Sequence, residues 1–390
     1  LTSARRDGPY VILSPERWVD SARTNKHHLA RELSRDAEVL YVNISPASLD
    51  RIWPMVSIFQ PTKTLHVSDS IGVPVRLRQR YGWAAGLQSA LALLGARRAS
   101  AQTLSDQAKI VLAYFPLPPS LLRLLQPQLV VYHCVDYHAS FPAWRGIAPQ
   151  LLAWEESLTR TSALVLASSA SLARHLGQWR SDVHLLENVG DVDLFAIAGN
   201  RARLRPRPSK PERQTAFFHG TFSSHKVNFD FLTRVAQASP DLELRLVGDL
   251  PDEEARQRMA DLTARSNVSW APATDQATIA EMIETVDILL LPYATNEHTQ
   301  YVFPIKLTEY LATGMPIIST RLETVRQFSG DSVYYADDAG EVSAALEKVV
   351  GHDESAVRRT RNLVRGRTWS ARADEIRVLV SEALDERASR

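Results

Sequence analysis

Short runs of uninterrupted apolar residues recur along this chain, with helix-patterned stretches between them. In the first half they are Tyr10-Val-Ile-Leu13, Val39-Leu-Tyr-Val42, Ile110-Val-Leu-Ala113, Leu129-Val-Val-Tyr132 and Ala163-Leu-Val-Leu166. A strand with one face in water alternates apolar and polar residues, whereas a strand covered on both faces is apolar throughout. Helix-like patterns, for example Lys26 to Arg35 and Leu151 to Thr161, separate the runs. Strand–helix–strand order with strands of this kind predicts a parallel sheet with helices on both faces.

The pattern breaks once. Gly199 to Arg213 reads GNRARLRPRPSKPER, rich in Arg and Pro and almost without apolar residues, which predicts a linker. The alternation then restarts. Ala216-Phe-Phe-His219, Leu242 to Val247, Val286 to Leu291, Pro316 to Ser319 and the shorter Val333-Tyr-Tyr335 read as strands. Asn228 to Ala238, Asp252 to Arg265, Ile305 to Thr313 and Gly340 to Val350 read as helices. Arg372 to Arg387 closes the chain as a long amphipathic helix. The expected architecture is α/β, with two doubly wound domains over 1–198 and 214–367, a linker over 199–213, and a final helix within 368–390. Such sheets bind ligands beyond the carboxyl ends of their strands, so two of them facing each other would make a cleft.

Composition removes several classes. The 390 residues are 45% hydrophobic and 23% charged with a formal charge of +1, which excludes long disorder and a polyanion binder. Cys134 is the only cysteine, so no intramolecular disulfide and no multi-Cys zinc site can form. That fits a reducing compartment. The longest apolar stretches, such as Ala84 to Ala96, fall well short of the roughly 20 residues of a spanning helix. Leu1 to Asp7 carries Arg5 and Arg6 and no apolar signal core. A cytoplasmic protein is expected.

The stretch richest in chemistry is Phe303-Pro-Ile-Lys-Leu-Thr-Glu-Tyr-Leu-Ala-Thr-Gly-Met-Pro316. Pro304 suits a first helical turn, and Gly314 followed by Pro316 suits a helix end. Lys306 and Glu309 then share one face. A helix N-terminus attracts anions, Lys306 adds a full charge for a phosphate, and Glu309 can accept two hydroxyls of a ribose. The bland alternative is an exposed Lys–Glu pair. A second segment, Phe218-His-Gly-Thr-Phe-Ser-Ser-His-Lys-Val-Asn228, follows a strand and precedes a helix. Gly220 allows close backbone approach to a diphosphate and Lys226 supplies charge. A purely structural strand–helix turn is the alternative.

Pro304-x-Lys306-x-x-Glu309-Tyr-x-Ala312-x-Gly314-x-Pro316 resembles the donor-site motif of GT-B glycosyltransferases, especially the family-4 (group 1) type. Gly220 with Lys226 is similar to that family's glycine loop and basic residue. Leu246-Val-Gly248, Asp287 to Pro292, Asn188-Val-Gly-Asp-Val-Asp193-Leu-Phe195 and Thr368-Trp369-Ser resemble its other segments. The resemblance covers roughly 185–380 well and the first half in outline. It implies two Rossmann-like domains, with a nucleotide-sugar held by the second. Lys226 would hold the diphosphate with Lys306, Glu309 the ribose, and the loop Asn296 to Phe303 would lie near the sugar. Base contacts are expected around Trp270 to Thr274. Two positions depart from the family pattern: Tyr301 stands where a second Glu is frequent, with Glu297 upstream, and Thr221 stands where Arg is frequent. No Asp-x-Asp cluster suited to Mg²⁺ is evident, so no cofactor and no metal is expected.

The first half is then expected to bind the acceptor. Asp136, His133 and His138 follow a strand, and Asp136 suits a general base if the enzyme inverts, or an acceptor-orienting group if it retains. A capping or turn Asp and structural histidines are the alternatives. His27 and His28 are weaker candidates. From Arg51 to Val135 nine basic residues face only Asp69 and Asp106. Arg76, Arg78, Arg80 and Trp83 lead into the run Ala84 to Ala96, which suits an anionic lipid surface and a lipid-linked acceptor. A solvated basic face is the alternative; nucleic acid is not expected, because no module for it accompanies the charge.

Together these features point to a nucleotide-sugar-dependent hexosyltransferase acting on a glycan or lipid-linked hydroxyl in cell-surface polysaccharide synthesis. Two alternatives stand beside it: a sugar-nucleotide epimerase or hydrolase of the same fold, and a degenerate non-catalytic binding protein. Turnover only with added acceptor separates the first from both.

Overall fold

The computed structural model describes residues 8–18, 24–44, 57–69, 73–105, 109–205, 213–238, 241–350 and 352–389. The chain forms two compact units, Leu1–Glu187 with Trp369–Arg390, and Asn188–Thr368.

In the first unit, eight strands form one sheet: β1 (Tyr10–Ser14), β2 (Val39–Asn43), β3 (Ser57–Thr62), β4 (Leu65–Asp69), β5 (Lys109–Ala113), β6 (Pro127–Cys134), β7 (Leu164–Ala167) and β8 (Val183–Leu185). Their order is β3-β4-β2-β1-β5-β6-β7-β8. All neighbours are parallel except β3 with β4. Pro61 lies in β3, at the sheet edge, where its missing N–H breaks no internal ladder. The order reverses between β1 and β5, which makes their carboxyl ends a switch point. Helices α1 (Asn25–Leu33), α2 (Val75–Arg78), α3 (Gly82–Thr103), α4 (Pro119–Leu122), α5 (Ala148–Thr161) and α6 (Ala170–Gly177) connect the strands. The C-terminal helix Trp369–Ala388 buries Trp369, Ala373, Ile376 and Val380, one stripe at helical spacing, and packs on α1. Trp369 stacks on His28 at 4.7 Å, and the Arg377 guanidinium donates to the Glu32 carbonyl at 2.9 Å.

The second unit is a fully parallel six-stranded sheet of order β11-β10-β9-β12-β13-β14. Its strands are β9 (Thr215–His219), β10 (Glu243–Val247), β11 (Val268–Ala271), β12 (Ile288–Leu291), β13 (Ile317–Ser319) and β14 (Tyr334–Tyr335). Its helices are α7 (Val192–Leu204), α8 (Phe229–Ala238), α9 (Glu253–Thr263), α10 (Gln276–Ile283), α11 (Ile305–Thr313), α12 (Glu323–Ser329), α13 (Ala339–Val349) and α14 (Glu354–Val364). Successive strand residues feed opposite layers: Phe218, Leu246 and Leu290 pack with α8 residues, while Phe217, Leu289 and Leu291 pack with α10 and α11 residues. This two-sided burial is why the central strand β12, Ile288–Leu291, is apolar throughout. The switch point lies between β9 and β12.

The predicted linker needs correction. Residues 199–204 belong to α7, and the first unit ends at Glu187 rather than at 198. Asp191 caps α7 by accepting the Leu194 N–H, and Val192, Phe195, Ala198 and Gly199 are buried. A methyl group on Gly199 would stand 2.1 Å from the Thr313 carbonyl oxygen, so the glycine lets α7 lie against α11. Composition misled because the arginines lie on the outer face, where Arg201 pairs with Glu284 and Arg205 with Asp287. Residues 206–212 of the expected linker lie outside the described residues.

Candidate functional site

In the second unit, β9 and β10 end on a shelf of bare backbone. Gly220 and Gly248 have φ of 143° and 152°, which L side chains rarely adopt. A methyl group on Gly248 would stand 1.7 Å from the Gly220 carbonyl oxygen, so the two turns touch main chain to main chain. One on Gly220 would stand 2.8 Å from Lys306 Nζ. The Lys306 ammonium therefore lies directly against the shelf, at the carboxyl end of β9.

Lys306 sits in the first turn of α11. Pro304 is the residue before that helix, extended at φ −69° and ψ 125°, and not part of its first turn as the sequence suggested. Gly314 ends α11 in the left-handed conformation at φ 69°. Burial lowers the pKa of Lys306; Glu309 opposes that, and the nearby Lys226 charge reinforces it. Lys226 is carried on a loop tied to the segment after β12. Ala294 N–H donates to the Lys226 carbonyl at 2.8 Å, Asn228 N–H to Pro292 at 2.7 Å, and the Asn296 amide to the His225 carbonyl at 2.7 Å. Two lysines thus converge beside bare backbone, an arrangement that suits an anion.

Glu309 lies one turn deeper and is 2% exposed. Its Oε1 accepts the Gln276 side-chain N–H at 2.7 Å, and the Asp191 backbone N–H also donates to the carboxylate. Its Oε2 stands 4.0 Å from His219 Nε2. Burial pushes the Glu309 carboxyl up to about 7, against the lowering effect of Lys306. Burial and Lys306 hold the His219 imidazole well below its ordinary value, so it is neutral. Gly190 packs on the Glu309 stem, where a methyl would stand 2.1 Å from Cγ. Gln276, Gly190 and His219 were not singled out from sequence. His219 and Gly190 stood inside quoted motifs, whereas Gln276 carries no local signal.

Asp191-Val-Asp193 does form an Asp-x-Asp pair, but Asp191 is engaged as the cap of α7 and beside Glu309. Among the described residues no three His, Cys, Asp or Glu converge as a metal-binding group. Thr221 is exposed, Tyr301 is half-buried in the turn Thr299–Tyr301, and Glu297 is exposed upstream. The Trp270 indole N–H donates to the Gly248 carbonyl at 3.1 Å, which fixes the ring beside the shelf.

In the first unit, Asp136 follows β6 and its side chain is 23% exposed. It does not stand alone. Lys26 Nζ lies 3.8 Å from Asp136 Oδ2 and 2.6 Å from Glu16 Oε1. Burial works against both charges, but Lys26 outweighs it and brings Glu16 down to about 2. Glu16 and Asp136 together raise the Lys26 pKa. His133 and His138 are buried beside this group. Burial, Lys26 and Arg372 bring His133 down to about 3, and neither of its ring nitrogens has a hydrogen-bond partner. His133 packs on Tyr114 and His138 on Phe115. His27 is a structural residue: its Nδ1 accepts the Thr24 N–H at 3.1 Å at the start of α1. His28 is the partner of Trp369. Lys26 and Glu16 were missed, because nothing in their local sequence marks an ion pair ten residues apart.

Of the expected lipid-facing residues, Arg76, Arg80 and Trp83 are exposed. Arg78 is not: it is 4% exposed, beside Gln88, Phe115 and Trp144, because the short helix α2 turns it inward. Instead, α3 extends the surface. Trp83, Leu87 and Leu94 are 65%, 46% and 50% exposed at i, i+4 and i+11, on one helix face. Exposed Arg97 and Arg98 follow at its far end. Arg51 and Asp106 lie outside the described residues. Among the described residues no helix is long and apolar enough to cross a membrane.

Residues 213–352 match the family model described as glycosyl transferases group 1. A putative teichuronic acid biosynthesis glycosyltransferase of Bacillus subtilis is 27% identical over 277 residues, 66% of this chain and 68% of that protein. A phosphatidyl-myo-inositol mannosyltransferase of Mycolicibacterium smegmatis is 26% identical over 182 residues, 45% of this chain and 44% of that protein. Among solved structures, sucrose-phosphate synthase of Thermosynechococcus elongatus superposes with a TM-score of 0.72 at 15% identity, over 97% of this chain and all of that one.

Proposed function

We propose that the chain is a glycosyltransferase of GT-B fold that moves a hexose-type sugar from a nucleoside-diphosphate donor to a hydroxyl of a glycan or lipid-linked acceptor in cell-surface polysaccharide synthesis, a reading supported by the group 1 glycosyl transferase match over 213–352 and by the relatives above. The observation that carries the donor half is that Lys306 lies against the Gly220–Gly248 shelf at the switch point of the second sheet, with Lys226 and Glu309 gathered around it.

On this reading the ribose hydroxyls donate to Glu309, and the diphosphate lies on the Gly220 and Thr221 backbone against Lys226 and Lys306. The α11 N-terminus behind Pro304 adds its dipole. Tyr301 stands near the donor sugar. As the sugar–phosphate bond breaks, charge gathers on the departing diphosphate. Fixed cations already in place stabilise that charge most. They take the place of a metal in this account, so chelation leaves turnover unchanged.

The acceptor half centres on Asp136, held beside Lys26. It accepts the proton of the attacking hydroxyl if configuration inverts, and orients that hydroxyl if it is retained. His133 and His138 shape its surroundings. The α2–α3 face, with Arg76, Arg80 and Trp83, lies on anionic lipid at the cytoplasmic surface of a membrane, where a lipid-linked acceptor is presented.

The test is release of nucleoside diphosphate from a panel of nucleotide sugars, with and without extracted lipid-linked or glycan acceptors. Release that depends on acceptor supports transfer. Release indifferent to acceptor overturns it in favour of hydrolysis or epimerisation.

A further inference from the structure

Among the described residues of the donor cluster Glu309 is the one buried carboxylate, and a carboxylate has two oxygens that rotate about one bond. To receive the ribose hydroxyls it must present an oxygen in a fixed position, and something must hold it there while the site is empty. The nearby elements divide that work. Gly190, in the loop before α7, packs on the Glu309 stem. The Asp191 N–H donates to the carboxylate. Gln276, the first residue of α10, reaches Oε1 at 2.7 Å. Oε2 is left 4.0 Å from His219 Nε2, which has no hydrogen-bond partner in the structure. One oxygen is occupied by a neutral amide, and the other lies beside the His219 imidazole at the end of β9.

We propose that Gln276 is a positioning residue of the donor site, locking Oε1 of Glu309 so that Oε2 is presented to the ribose. The inference rests on the assignment of Glu309 to the ribose. Gln276 is well suited to this role. Asp275 caps α10 by accepting the Thr278 N–H at 3.0 Å, which fixes the backbone from which Gln276 projects. A neutral amide donor stabilises the ionised carboxylate without adding a charge that would compete with Lys306 for the diphosphate. The charged and titratable groups around Glu309 are Lys306 on α11, Asp191 at the start of α7, His219 at the end of β9, and Tyr293 and Tyr310. Among the described residues Gln276 is the only side chain that hydrogen-bonds the carboxylate, so its loss removes no charge but takes away both the fixed orientation and a bond that favours the ionised form.

The experiment is calorimetric titration of UDP and GDP, and of inorganic pyrophosphate as a probe without ribose, into wild type, Gln276→Leu and Gln276→Asn. Gln276→Leu keeps volume and removes the donor. It is expected to weaken nucleotide binding by about tenfold, the worth of a hydrogen bond to a charged group, and to leave pyrophosphate binding unchanged. The pH at which nucleotide affinity rises moves upward, because the amide no longer favours the ionised form. Gln276→Asn, which keeps the amide on a shorter stem, recovers part of the loss. Equal losses for nucleotide and pyrophosphate, or no loss for either, overturn the positioning role. A wild type that binds pyrophosphate but neither nucleotide overturns the ribose assignment itself, a distinct result.

Discussion

A methyl group added at Gly190 would stand 2.1 Å from Cγ of Glu309, closer than real side chains approach. The loop that precedes α7 is therefore a wall against the Glu309 side chain, and its glycine sets where Glu309 can lie. Gly190→Ala must displace either the loop or the carboxylate. We expect nucleoside diphosphate affinity to fall by at least about tenfold in calorimetry, with circular dichroism unchanged. Unaltered affinity would show that Glu309 moves aside freely and is not positioned by this wall.

Burial of Glu309 costs stability in a pH window that can be stated. Its carboxyl titrates at about 7 in the folded protein, against an ordinary value of 4.5. Between these values the native state holds a proton that the unfolded chain has released, so stability falls as pH rises across the window and stays reduced above it. Glu309→Gln removes the penalty. The variant should melt several degrees above wild type at pH 8 and close to wild type at pH 5. An equal difference at both pH values would contradict the raised pKa.

Lys26 is buried between Glu16 and Asp136. Removing a buried partner leaves a carboxylate uncompensated, which typically costs about 3–5 kcal/mol; water access to Glu16 places this case at the low end. Lys26→Met should lower unfolding free energy by about 3 kcal/mol in a urea titration. A loss below about 1 kcal/mol would mean that the triad is no more than a surface ion pair.

The exposed α3 stripe gives a further test. Replacing Arg76, Arg80, Arg97 and Arg98 by Gln should reduce sedimentation with vesicles containing anionic phospholipid, each Arg contributing about 1 kcal/mol near such a surface. Trp83→Ala should reduce what remains at high salt. Sedimentation equal to wild type in both variants would leave this face solvated.

Much of the fold was legible because parallel strands buried on two sides are short and wholly apolar. Tyr10 to Leu13 and Ala216 to His219 stand out for that reason. The strands that escaped, β3, β4, β8 and β11, lie toward sheet edges and keep polar residues such as Gln60 and Ser269. Helix α7 escaped because its arginines face outward and only Val192, Phe195, Ala198 and Gly199 face in. Within the donor cluster, Gly220, Lys226, Lys306 and Glu309 could be read because they are close in sequence to the turns that place them. Gln276 reaches Glu309 across 33 positions of chain, and Lys26 reaches Asp136 from another strand–helix unit. Contacts of that kind are made by topology and leave no local pattern.

If Glu309 holds the nucleotide of a sugar donor, nucleotide binding depends on its carboxylate. Thermal shift with UDP, GDP, ADP, CMP and dTDP and their sugar conjugates, on wild type and Glu309→Ala in parallel, tests it most directly. One nucleotide family should raise the melting temperature of wild type by mass action, and the variant should lose about 1.5–3 kcal/mol of that binding. No shift in wild type at millimolar nucleotide, or an equal shift in the variant, would contradict it.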